Sequence, residues 1–166
     1  PNNPHVADSY NNIGTVHIAR GEIDKAKKFY EKSLAIYLQV KGQDHPDVAL
    51  SYNNIGITHR KMGQYDQAKK FYEKSLAIYL QVKDQDHPDV ALSYSAIGQV
   101  YIDSGKYGMA VIYLQKGLTI YSKQLGGDHP FVATSHFDLG YAQYGMKNTV
   151  AALASARKAR AISEKR

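Results

Sequence analysis

The sequence contains no cysteine and no tryptophan, and only five prolines in 166 residues. Without cysteine the chain can form neither a disulfide framework nor a thiolate zinc site. It also lacks the run of about eighteen apolar residues that a membrane-spanning helix needs, and it has no basic-then-apolar leader. These absences exclude a disulfide framework and a thiolate zinc site, and they favour a protein without a membrane span. We expect a cytoplasmic location.

Basic residues outnumber acidic residues by six, but the excess is unevenly placed. Five basic side chains and only Glu164 lie between Arg157 and Arg166, which accounts for a surplus of four. Lysine and arginine in the last turns of a helix complement its dipole, so we interpret this segment as a solvated helix end. We therefore expect neither a nucleic acid nor a membrane as partner.

An internal repeat dominates the chain. The sixteen residues AKKFYEKSLAIYLQVK occupy positions 26–41 and return unchanged at 68–83, an offset of 42. At the same offset, prolines recur at 4, 46, 88 and 130, and glycines recur at 14, 56, 98 and 140. Periods of this size indicate stacked supersecondary units. We predict one repeat domain over residues 1–166, with repeats 4–45, 46–87, 88–129 and a degenerate or capping repeat 130–166.

Each repeat is predicted to contain two helices. In the second copy the first helix is expected to begin at Pro46, since proline suits the first helical position, and to end before Gly63, where a left-handed capping glycine belongs. The second helix is expected to begin near Tyr65. It is apolar on several sides, which indicates burial against both its own partner helix and the neighbouring unit. The pattern predicts an all-α stack.

The spacing of these residues resembles the tetratricopeptide repeat (TPR), which places an aromatic, Leu-Gly and Tyr on the first helix and Ala, an aromatic and a small residue on the second. In the second copy the matching residues are Tyr52, Ile55, Gly56, His59, Gly63, Tyr65, Ala68, Tyr72 and Ser75. The 42-residue unit with its Asp-His-Pro junction is similar to the repeats of kinesin light chains. The resemblance implies a right-handed α-solenoid of antiparallel helix pairs, without catalysis and without a cofactor.

The fourth copy departs from this pattern. Lys147 replaces the capping glycine, and alanines thin the second helix. Arg160 stands where the earlier copies have Leu34, Leu76 and Leu118. An arginine at a position that packs against a following repeat indicates an end unit, so we expect a cap with a polar outer face.

By resemblance to TPR proteins, the first helices line a concave groove that binds an extended peptide segment of a partner protein. Asparagine suits this role, because its amide can pair with a peptide backbone of any sequence. Helical spacing predicts the following groove residues: Asn11, Asn12, Thr15, Asn53, Asn54, Ile57, Arg60, Ser95 and Gln99. On the fourth copy the same spacing places Phe137, Asp138 and Tyr141 on this surface. The two Asn-Asn pairs are the preferred contacts. The basic residue that a carboxylate clamp needs is missing at the first of its positions, which disfavours recognition of a chaperone C-terminus.

The sequence favours three other functions less. His45, His87 and His129 each lie between aspartate and proline, but residues repeated once per unit are spaced by about 10 Å and cannot converge on one metal ion or substrate. Helix capping is the simpler interpretation, and we expect no catalytic residue and no metal. Most tyrosines occupy core positions, which disfavours base stacking. The main alternative is self-assembly, in which the chain stacks or dimerises through exposed repeat ends.

Overall fold

The computed structural model describes residues 3–165, and over this range the chain forms eight helices. Their bounds are α1 (Pro4–Ala19), α2 (Ile23–Lys41), α3 (Pro46–Lys61), α4 (Tyr65–Val82), α5 (Pro88–Asp103), α6 (Tyr107–Leu125), α7 (Pro130–Gly145) and α8 (Thr149–Ser163). The predicted starts at Pro46 and Tyr65 are confirmed.

The helices divide into two compact units, one ending at Lys83 and the other beginning at Asp84. In the first unit α1 pairs with α2, α3 pairs with α4, and α2 packs on α3. In the second unit α5 pairs with α6, α7 pairs with α8, and α6 packs on α7. Each unit is therefore a stack of two helical hairpins.

A histidine caps the first helix in three of the hairpins. The Nδ1 atom of His45 accepts a hydrogen bond from the backbone N–H of Asp47 at 3.1 Å. His87 and His129 make the same contact two residues ahead, at 3.1 and 3.2 Å. Each cap satisfies a helix N–H that has no partner within the helix, while the following proline needs none. The Asp-His-Pro junction thus acts as a helix start, as the capping interpretation predicted.

The first helices end in a left-handed residue. Gly21, Gly63 and Gly105 have φ angles of 73°, 73° and 72°. In the second hairpin the N–H of Gln64 donates to the carbonyl of His59 at 2.9 Å, the bond that defines a Schellman cap. Lys147 adopts the same conformation with φ of 62°, although its Cβ disfavours it. The fourth hairpin keeps the turn without the glycine.

Close approach of the paired helices requires the other glycines of the repeat. A Cβ added to Gly56 would lie 2.7 Å from Cε1 of Tyr72, and one added to Gly14 would lie 2.6 Å from Tyr30. Both tyrosines are buried, so their rings fill the space that the glycines leave. The core of each unit lies between the helices of its hairpins.

Candidate functional site

The first helices of each unit lie side by side and are joined by a hydrogen bond between side chains. In the first unit the Nδ2 of Asn54 on α3 donates to Oδ1 of Asn11 on α1 at 2.7 Å. In the second unit Nε2 of Gln99 on α5 donates to Oδ2 of Asp138 on α7 at 3.0 Å. Four of the polar side chains on these helices therefore hold neighbouring repeats in register.

Polar side chains also cover the first-helix surface of the first unit. Asn12 is exposed, and its amide has no hydrogen-bond partner within residues 3–165. The hydroxyl of Thr15 lies 3.2 Å from that of Tyr30, whose pKa is raised by burial. Ile57 and Arg60 are half-buried. An exposed amide beside hydroxyl and apolar groups can pair with a peptide backbone.

Asn53 corrects one part of the sequence prediction. We expected it on the open surface, but only 6% of it is exposed and its Oδ1 is buried without a partner. Ser95 occupies the same position one repeat later, and its Oγ is also buried without a partner. A Cβ on Gly117 of the second helix would lie 2.6 Å from that Oγ. The Oγ of Ser95 therefore lies against the second helix of its own hairpin, and neither this atom nor the Oδ1 of Asn53 is exposed to solvent.

An aromatic stripe runs along α7. Phe137, Tyr141 and Tyr144 are spaced by four and three residues, which places them on one face of the helix. Their exposed fractions are 63%, 55% and 69%. Large aromatic side chains this exposed are uncommon on a surface without a partner and mark interaction sites. Helical spacing also placed Phe137 and Tyr141 on the first-helix surface, whereas Tyr144 was missed.

A pocket of about 480 Å³ adjoins the stripe. It is lined by Tyr107, Tyr141, Tyr144, Gly145, Lys147 and Thr149. The ring of Tyr107 packs directly on the backbone of Gly145, since a Cβ there would lie 2.6 Å from the ring. Lys147 is exposed and supplies the positive charge of this pocket. An aromatic wall beside a cation suits an apolar or acidic side chain of a peptide.

Six of the other tyrosines are buried in the core as expected, whereas five are half-buried: Tyr10, Tyr52, Tyr65, Tyr94 and Tyr113. The following are at most 9% exposed: Tyr30, Tyr37, Tyr72, Tyr79, Tyr101 and Tyr121. Burial and the nearby charge of Asp8 raise the pKa of Tyr37 well above its usual range. Rings held inside the hairpins cannot stack on nucleic-acid bases.

The fourth hairpin is only partly polar on its outside. The side chain of Arg160 is 79% exposed and pairs with Glu164 at 2.6 Å, in agreement with the expected polar face. Val150 and Leu153 on α8 are nevertheless 81% and 52% exposed. Thinning of α8 to alanine leaves a groove of about 690 Å³ between α7 and α8. The surface of the fourth hairpin therefore carries apolar as well as polar side chains, and the assignment of a capping repeat stays a prediction.

The family model described as tetratricopeptide repeat matches residues 5–81, 52–123 and 89–165. The chain belongs to the tetratricopeptide-repeat family. These matches follow the helical hairpins described above. Because TPR domains are typically scaffolds for other proteins, membership supports a role in protein interaction. No curated protein sequence matches the chain.

Solved structures with the same fold include BtubC (BKLC) from P. vanneervenii, at a TM-score of 0.87 and 20% identity over 98% of this chain and 65% of that one. A protein of Podosopora anserina with nearly identical TPR-like repeats of the kinesin-light-chain kind matches at 0.76 and 23%, over 99% and 78%. The apo form of RapI matches at 0.85 and 21%, over 97% and 57%. The chain thus spans less than two thirds of BtubC and RapI. These likenesses establish the TPR-like solenoid fold.

Between residues 3 and 165 no helix is both long and apolar enough to cross a bilayer. Within the described part of the chain no group of three or more metal-ligating side chains comes together.

Proposed function

We propose that the TPR protein binds an extended peptide segment of a partner protein on its first-helix surfaces, and that it has no catalytic role. The aromatic stripe of α7, formed by Phe137, Tyr141 and Tyr144, carries this proposal. Aromatic side chains contribute large contact areas at a low entropic cost, and they dominate the energy of many interfaces. The chemistry of the stripe in the second unit and of the amides in the first suits a protein partner rather than a nucleic acid or a membrane.

The polar side chains of these surfaces would form hydrogen bonds with the peptide backbone. An extended peptide presents backbone N–H and C=O groups that need partners when they are removed from water. Asn12 has both an amide donor and an acceptor free within the described range. Asn54 retains one amide hydrogen after its Nδ2 bonds to Asn11 of the preceding repeat. In the first unit these amides would pair with peptide backbone groups, whereas the stripe of the second unit would contact peptide side chains.

The experiment is a selection of random peptides on the folded chain, followed by calorimetric titration of an enriched peptide. Replacing Tyr141 and Tyr144 by alanine should weaken binding about 30-fold, the effect of losing about 2 kcal/mol at an interface hot spot. The variant should keep its helicity, because both rings are more than half exposed.

Val150→Ala is the matched control. Val150 is also apolar and exposed, but it lies on α8 and belongs neither to the stripe nor to the lining of the pocket beside it. Its replacement should leave affinity unchanged. Equal affinity of the wild-type chain and the double tyrosine variant would show that the stripe does not bind the peptide.

A further inference from the structure

A lysine of the second helix lies over an aromatic ring of the first helix in three of the hairpins. The three pairs are Lys32 over Tyr10, Lys74 over Tyr52 and Lys116 over Tyr94, with the ammonium 5.5, 5.2 and 5.3 Å from the ring centre. The face of an aromatic ring attracts a cation at this distance. The contact therefore helps to hold the two helices of each of these hairpins together.

The fourth hairpin keeps the lysine but replaces the ring by a histidine. Lys158 and His136 follow Lys116 and Tyr94 at the repeat offset of 42 residues. A second ring is also missing, since Ser155 stands where the third hairpin has a tyrosine whose ring centre is 5.7 Å from Lys116. A neutral imidazole tolerates a neighbouring cation, whereas a protonated imidazole is repelled by it. The pairing of α7 with α8 therefore depends on the protonation state of His136.

The surroundings of His136 disfavour its protonated form. Its Nδ1 is buried and has no hydrogen-bond partner within residues 3–165, so a proton on this atom would lack an acceptor. Burial, followed by the charge of Lys158, lowers the pKa of His136 below its usual value of 6.5. As the pH falls through 6.5 the unfolded chain therefore takes up a proton before the folded chain does, and folding stability is lost.

The charged side chains of the neighbouring helices do not compensate a proton on His136. Those of α6 and α8 are all basic: Lys116, Lys123, Arg157, Lys158 and Arg160. The acids of α5, Asp89 and Asp103, lie in its first turn and at its last residue, whereas His136 lies in the middle of α7. Asp138 on α7 is about 200° around the helix from His136 and accepts a hydrogen bond from Gln99 at 3.0 Å.

The cap of α7 is a second histidine contact that needs a neutral ring. The Nδ1 of His129 accepts a hydrogen bond from the N–H of Phe131, and a protonated Nδ1 cannot accept one. In the second and third hairpins an aspartate stands two residues after the histidine, with its Oδ2 3.5 Å from Nδ1, and can pair with the charged ring. Phe131 cannot. The acid next to His129, Asp128, pairs with Lys165 at 2.7 Å, and Tyr121 of α6, which packs on Phe131, is neutral in acid.

Both histidines lie at the helix that carries the aromatic stripe. His129 caps α7, and His136 directly precedes Phe137, the first ring of the stripe. We propose that His129 and His136 form a proton switch, through which mild acidification opens the fourth hairpin and weakens peptide binding at the stripe. This inference rests on the proposed peptide site. The third hairpin keeps the tyrosine ring and the aspartate, so it should remain closed.

The first measurement is hydrogen exchange of the backbone amides without peptide, at pH of about 7.5 and about 5.5, corrected for the intrinsic effect of pH on exchange. At the lower pH the protection of α7 and α8 should fall at least about fivefold relative to that of α5 and α6, the factor that loss of a typical helix cap corresponds to. Calorimetric titration with an enriched peptide that lacks histidine should show an affinity at least about twofold weaker, the effect of an open population of about one half.

The decisive variant combines His129→Asn with His136→Tyr. The chain itself has these residues at the same repeat positions, where the side chain of Asn3 caps α1 and the ring of Tyr10 lies under a lysine. The variant should bind the peptide normally at pH of about 7.5 and should lose the effect of acidification on both protection and affinity. His87→Asn is the matched control, because it removes a capping histidine from the third hairpin and should leave the pH dependence of the fourth unchanged.

Three results would overturn the switch. The third and fourth hairpins could lose protection equally on acidification, the affinity of the wild-type chain could be the same at both pH values, or the double variant could respond to acid as the wild type does. A peptide that does not bind at pH of about 7.5 would instead refute the α7 site, and the exchange measurement without peptide would still decide whether the two histidines open the hairpin. The two failures can therefore be told apart.

Discussion

Lys147→Gly should stabilise the protein. Lys147 closes the turn between α7 and α8 with φ of 62°, in the left-handed region. An L-residue in this region costs about 1–2 kcal/mol because its Cβ approaches the following carbonyl. Glycine avoids this cost but loses more backbone entropy on folding, by about 0.5–1 kcal/mol. The lysine makes no ion pair within the described residues, so replacing it sacrifices no such contact.

The net gain is about 0.5–1 kcal/mol, which corresponds to a rise of about 1–4 °C in the melting temperature of a chain of this size. Thermal unfolding followed by circular dichroism measures it. The matched control is the reverse change, Gly105→Lys, in the same unit. Gly105 has φ of 72°, and a Cβ there would meet nothing within 4 Å, so backbone strain alone should lower stability by a similar amount.

The two variants should therefore shift the melting temperature in opposite directions. A Lys147→Gly chain that is no more stable than the wild type, together with a Gly105→Lys chain that loses nothing, would refute the argument from backbone strain. A loss in Gly105→Lys alone would show that contacts of Lys147 offset the strain at that turn.

Two further predictions concern the core. Gly56→Ala forces a Cβ to 2.7 Å from the buried ring of Tyr72 and should lower the free energy of unfolding in urea by about 1–3 kcal/mol. The control, Gly108→Ala, places its Cβ in open space and should be neutral or stabilising by up to about 1 kcal/mol. Equal effects of the two changes would contradict the packing argument. Burial, with the charge of Asp89, raises the pKa of Tyr121 to about 12 from an unfolded value of about 10, so folding stability should fall as pH rises between these values. Tyr121→Phe should make that fall shallower in urea titrations at pH of about 9 and 11, and an unchanged slope would argue against the shift.

Much of the fold could be predicted because local signals and the repeat period agree. Pro46 and Tyr65 begin helices as expected, and Gly63 has the left-handed conformation that a capping glycine supplies. Each feature depends on a few neighbouring residues and returns at the same offset. The copies in one sequence therefore give repeated evidence for the same helix starts and ends.

The binding surface was less predictable because burial depends on packing between helices. Asn53 and Asn54 are adjacent in sequence, yet a rotation of about 100° per residue leaves the first buried while the second reaches the neighbouring first helix. Tyr144 was missed since the earlier copies have Ile18, Arg60 and Ile102 at its position, which share no chemistry with it. The signal that could have found it is its spacing of seven from Phe137.

The turn at Lys147 could not be predicted from the conformational preference of that residue. The missing glycine was visible in the sequence, but the turn forms nevertheless, and the N–H of Asn148 still donates to the carbonyl of Gln143 at 3.0 Å. Packing of α7 against α8 outweighs the local preference of one residue. Sequence reasoning can identify such a conflict, whereas the structure shows which side prevails.

The most direct test of the account is the map of backbone amide shifts in the isotopically labelled chain when an enriched peptide is added. If the peptide binds at the stripe, the largest changes in amide chemical shift fall at Tyr141, Tyr144 and their neighbour Tyr107. The double tyrosine variant should lose these changes. Changes confined to α2 or α8, with the stripe of α7 unaffected, would contradict the proposal that the first-helix surface binds the partner.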